Sequence, residues 1–169
     1  QMFAAERAAG TSAEISDEAG IARAQRVAAR VQPVAEAFCR EQGVANCTFR
    51  VSVDKSTDVA NAYQSYENGV PVVKITLPLL RQSRNDDEIA FILGHEFGHH
   101  IAGHIDRKQT QALAGAVLGG VIAAATDDRY IAQGMAVGGG VGGLAYSQTY
   151  ELEADVIGTE IARLAGYDP

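Results

Sequence analysis

Only two of the 169 residues are cysteine, too few to build a closed structural zinc site on their own. All four histidines fall between positions 95 and 104. A di-iron bundle needs Glu-x-x-His pairs on separate helices, and Glu96-Phe97-Gly98-His99 has no counterpart elsewhere in the chain, which excludes that chemistry. Lys and Arg number 14 against 21 Asp and Glu, and a net charge of −7 leaves no basic footprint for nucleic acid. No apolar run makes a full membrane span of roughly 20 residues. Gln1-Met2-Phe3 lacks the basic start and long apolar run of a signal peptide. The chain is then either cytosolic or already stripped of a leader. No internal repeat is visible. What is present, 47% hydrophobic and 21% charged residues, suits one folded domain spanning 1–169.

Residues 16 to 42 read as a long helix, with Ile21, Ala24, Val27, Ala28, Val31, Ala35 and Phe38 at helical spacing and Gly43 as its stop. Pro33 predicts a kink or a break into two helices. Residues 1–15 are expected to form a loosely held helical arm. Alternation over 48–53 and 61–66, then Asn68-Gly69 and Val70-Pro71-Val72-Val73-Lys74-Ile75-Thr76-Leu77, predicts three short antiparallel strands joined in part by a tight hairpin. Pro71 marks a strand start or an edge. A disulfide between Cys39 and Cys47 would staple the first helix to the first strand and suit an oxidising compartment; two unlinked thiols are the plainer alternative.

Asn85 followed by Glu88 announces a further helix through a capping box, and Ile89, Ile92, Leu93 and Phe97 continue it as a buried stripe. Residues 112–146 form two Ala- and Gly-rich apolar stretches. They read either as a buried helical hairpin or as a flap or membrane-surface hairpin over a site. A last helix is expected from about Ser147 to Leu164, ending before Gly166.

The capped helix carries His95-Glu96-Phe97-Gly98-His99. Residues four apart share one helical face, so His95 and His99 can offer two imidazoles to one metal. Glu96 is placed to hold a metal-bound water rather than to ligate the ion. A catalytic zinc needs a third protein ligand. A histidine six residues beyond His99 would supply it in one class of zinc peptidases, but that position is Ile105, and Met135 need not form a Met-turn. The other solution is a glutamate on a later helix with an aspartate four residues on. Glu151-Leu152-Glu153-Ala154-Asp155 offers Glu151 as third ligand and Asp155 as acceptor for the free ring N–H of His95. Glu153 points elsewhere. His100 and His104 are expected as surface groups or polar contacts around the site, with weaker support as auxiliary metal ligands.

These residues resemble metallopeptidase family forty-eight, the gluzincins that include HtpX-type, CAAX prenyl and Oma-type proteases. Asn61-Ala62-Tyr63 resembles the family's Asn-Ala-Phe strand, Asp86-Asp87-Glu88-Ile89-Ala90 the start of its zinc helix, and Ile92 to His99 that helix itself. Glu151 to Asp155 is similar to its ExEAD signature and Ala165-Gly166-Tyr167-Asp168-Pro169 to its continuation. The resemblance implies an α+β, mainly helical zincin-like domain with a small antiparallel sheet and one Zn2+ per chain. It further implies an endopeptidase acting on unfolded or misassembled envelope proteins, with Glu96 as the catalytic residue. The soluble periplasmic branch fits best, with a leader removed before Gln1 and an outer-membrane association through residues 112–146. Family members usually continue past the Gly-Tyr-Asp-Pro segment into a His-Pro segment, and Pro169 is the last residue here. Extended substrates are expected to pair with the edge strand around Asn61, Ala62 and Tyr63. The rival expectation is a zinc-stabilised module that binds envelope proteins or membrane surfaces without cutting them.

Overall fold

The computed structural model describes residues 13–105 and 148–169. The expected N-terminal arm, up to residue 12, and the whole 112–146 segment lie outside the described residues. Helix α1 spans Asp17–Glu41, with the Ser16 hydroxyl accepting from the Ala19 N–H at its start. Pro33 does not split it into two helices. One missing hydrogen bond and a local clash are outweighed by a buried stripe of Val27, Val31, Ala35 and Cys39 on both sides of the proline. Gly43 follows at φ +70°, where a side chain would be strained.

Strand β1 is Arg50–Asp54, β2 is Ala62–Glu67 and β3 is Val70–Thr76, in the order β1-β3-β2. β2 and β3 form the expected antiparallel hairpin through Asn68-Gly69, but β1 pairs with β3 in parallel. The sheet is therefore mixed, which corrects the all-antiparallel expectation. The seven residues joining β1 to β2 carry β2 past the neighbouring slot, and the tight turn then returns β3 into it. β3 has the near-continuous burial of a central strand. Pro71 is tolerated at its start because β1 pairs only from Val72 onward. One sheet face carries Val51, Val53, Ala62, Val73 and Ile75 against the helices. The other carries an Arg50–Glu67–Lys74 charge cluster.

A short helix that the alternation pattern hid, α2 (Leu77–Gln82), opens with Pro78 in its first turn and buries Leu77, Leu79 and Leu80. Helix α3 runs Asp86–Ile101 and helix α4 Gln148–Leu164. Among the described residues, no helix is long and apolar enough to cross a membrane. The described residues fall in two compact units, 13–102 with Leu152–Pro169 in the first and 103–105 with 148–151 in the second. The core of the first joins Val27 and Val31 of α1 to Leu80 of α2, Ile89, Leu93 and Phe97 of α3 and Ile161 of α4.

Candidate metal centre

Helix α3 is fixed at its first turn. The Asn85 side chain accepts from the Glu88 N–H at 2.9 Å, while the Glu88 carboxylate accepts from Arg84 N–H at 2.7 Å, one residue short of the usual capping-box partner. Asp86, first in the helix, accepts two hydrogen bonds from Arg26 of α1 at 2.9 and 2.7 Å. That guanidinium holds the Asp86 carboxyl below its usual range. From Ile92 through Ile101 every residue of α3 is buried, which places the motif inside the protein.

His95 and His99 are each 2% exposed, and their Nε2 atoms face one another at 3.0 Å. The far nitrogen of His95, Nδ1, donates to Asp155 Oδ1 at 2.8 Å. With the hydrogen on Nδ1, Nε2 presents its lone pair, the tautomer a metal ligand needs. One ligand atom from each of His95, His99 and Glu151 falls within a common 4.8 Å span. Two imidazole nitrogens and a carboxylate oxygen match the donor set of a catalytic zinc, so these residues fit a divalent metal. Glu96, next to His95, is 4% exposed.

The approach of α4 to α3 depends on small residues. A Cβ built on Gly94 would lie 2.7 Å from Gly158 O, and one on Gly158 would lie 2.6 Å from His95 N. Gly98 and Ala154 repeat the approach one turn along, at 3.0 Å. Backbone meets backbone here, which brings Asp155 within hydrogen-bond range of His95. Sequence reasoning did not assign these glycines, although their spacing of four on ligand-bearing helices was a usable signal.

The remaining expectations divide. Cys39 and Cys47 form a disulfide with their Cα atoms 5.6 Å apart. β2 is an outer strand, with Ala62 buried toward the helices and Tyr63 on the opposite face, donating to Asp54 at 3.1 Å. Burial, with that hydrogen bond to Asp54, raises the Tyr63 phenol above its ordinary range. Asn61 precedes the strand and is locked to Thr76 by two hydrogen bonds, its N–H to Thr76 Oγ1 at 2.8 Å and its carbonyl from Thr76 N–H at 2.9 Å. His100 and His104 are not surface groups, being 4% and 0% exposed. Within the second unit, the His104 ring stacks on Tyr150 at 4.4 Å. Glu153 is half-buried.

A buried helix with two histidines four apart, joined by a glutamate from a later helix, defines a metallopeptidase-type centre. Residues 22–169 match the model of Peptidase family M48, and the chain belongs to that family of metal-dependent peptidases. It is also 34% identical over 91 residues, 54% of its length, to the mitochondrial metalloendopeptidase OMA1 of Arabidopsis thaliana. That match spans 18% of the relative's length.

Proposed function

We propose that the chain is a zinc metalloendopeptidase in which His95, His99 and Glu151 hold the ion and Glu96 moves the proton. The observation that carries the reading is the convergence of those three ligand atoms with Asp155 fixing the tautomer of His95. A zinc ion there would polarise the scissile carbonyl and acidify water at neutral pH. Glu96 would accept the proton of the attacking water and deliver it to the leaving amine. The outer edge of β2 would take an extended polypeptide through backbone hydrogen bonds, a mode that tolerates varied side chains and suits unfolded substrates.

The Cys39–Cys47 disulfide supports an oxidising compartment. Periplasmic clearance of misassembled envelope proteins is the role proposed. A non-cleaving binding module has no need of the buried Glu96 carboxylate. The test is cleavage of an unfolded protein such as casein by the zinc-loaded chain and its Glu96→Gln variant. Activity should fall by about 10²–10⁴-fold with zinc still bound; equal cleavage by both, or none by the wild type, would reject the mechanism.

A further inference from the structure

His100 is one of the two histidines, with His104, that the proposed mechanism leaves unused. It follows His99 directly, so its ring leaves α3 on a different side from the ligand pair. Its Nε2 lies 3.1 Å from the Ala45 carbonyl and its Nδ1 3.0 Å from the Tyr66 hydroxyl. A carbonyl can only accept, so Nε2 carries the hydrogen and Nδ1 receives the Tyr66 O–H. Phe49 and Tyr66 meet the ring edge-on, with centroids at 5.2 and 5.7 Å. One neutral tautomer and one ring orientation satisfy every one of these contacts.

Both ends of this bridge are anchored. Ala45 lies in the loop closed by the Cys39–Cys47 disulfide. Two residues past that loop, Phe49 ties the chain to α1: its N–H donates to Glu36 at 3.0 Å and its carbonyl accepts from Gln32 at 3.0 Å. Tyr66 lies on β2, on the face that Ala62 and Gln64 turn toward the helices. Gln64 does not share the tie: its amide donates to Ser65 of its own strand, and its buried Oε1 has no hydrogen-bond partner among the described residues.

We infer that Tyr66, held by His100, is a positioning residue that sets the outer strand β2 relative to the metal-bearing helix. It thereby fixes where a strand-paired polypeptide lies over the metal. The inference rests on the proposed reading of β2 as the substrate strand. The pair acts on substrate placement and takes no part in proton transfer, so its loss weakens KM and spares kcat.

The test is a double-mutant cycle with Tyr66→Phe and His100→Gln, the glutamine retaining a donor toward Ala45. Each single variant should raise KM for an unstructured peptide on the order of fivefold, with kcat and zinc content held. The double variant should match the singles, because one hydrogen bond is being removed. In parallel, amide hydrogen exchange over Ala62–Glu67 should speed up relative to Arg50–Asp54. Multiplying KM effects, an unchanged KM, or a fall in kcat alone would overturn the inference. If the wild-type protein cleaves nothing, the proposed function fails, and exchange over β2 decides the inference by itself: unchanged rates reject it.

Discussion

The two helices that build the candidate metal centre are held in opposite ways. α3 is capped at Asn85, pinned by Asp86 to α1, and buried around its whole circumference along the motif. α4 contributes Asp155 from a helix whose outer face is open, with Leu152 62% and Val156 70% exposed. One helix is a fixed scaffold by virtue of burial on all sides. The other is positioned by a narrow contact, where Gly94 and Gly98 meet Ala154 and Gly158. The lesson is that a ligand constellation can be set by a few missing methyl groups as firmly as by a hydrophobic core.

The largest break in that comparison should come from Gly158→Ala. The new Cβ would sit 2.6 Å from His95 N and 2.8 Å from its Cα, both backbone atoms of a helix with no room to retreat. We expect a loss of about 2 kcal/mol in unfolding free energy, together with weakened metal binding. Val156→Ala, on the exposed side of the same helix, should stay within about 0.5 kcal/mol of wild type. Denaturant midpoints with and without zinc would check both. A neutral Gly158→Ala would mean that the crossing does not fix α4.

A smaller effect probes the hydrogen bond from His95 to Asp155, which joins the two helices at the site. Asp155→Ala removes the acceptor for His95 Nδ1 and should lower metal affinity by about 10–100-fold. The carboxylate is 35% exposed, so folding should survive the change. Competition against a chromophoric chelator would measure the affinity. An unchanged value would show that burial alone orients His95.

The same contrast explains what could be read from the chain. Everything about α3 is local: an N-cap, an apolar stripe and a motif within 17 residues of sequence, Asn85 to Ile101. Glu151 and Asp155 were legible because their spacing of four fits one helical face. The sheet was harder, since no property of β1 alone tells whether the strand inserted beside it runs parallel. That depended on where the β1–β2 connection left β2. α2 was hidden because Leu77 to Leu80 is uniformly apolar and carries no period. For His100 the choice between surface group and polar contact stayed open for a related reason: its partners, Ala45 and Tyr66, lie 55 and 34 residues away.

The smallest predicted effect tests whether the anchoring of α3 is partly electrostatic. Asp86 sits at the positive end of the helix and accepts two hydrogen bonds from Arg26, with Arg23 at 3.3 Å. Its pKa is lowered from 3.8, first by the Arg26 hydrogen bond. A group whose folded pKa is depressed stabilises the fold above its unfolded pKa, and that stability is lost as pH falls through the folded value. Asp86→Asn should therefore cost about 1 kcal/mol at neutral pH. The gap to wild type should shrink as pH drops below about 4 and close once the wild-type carboxyl is itself protonated. Chemical unfolding of both proteins at neutral and acid pH measures this. A gap that persists unchanged in acid would assign the anchor to the shape of the Asp86 side chain rather than to its charge, leaving α3 fixed by burial and its cap alone.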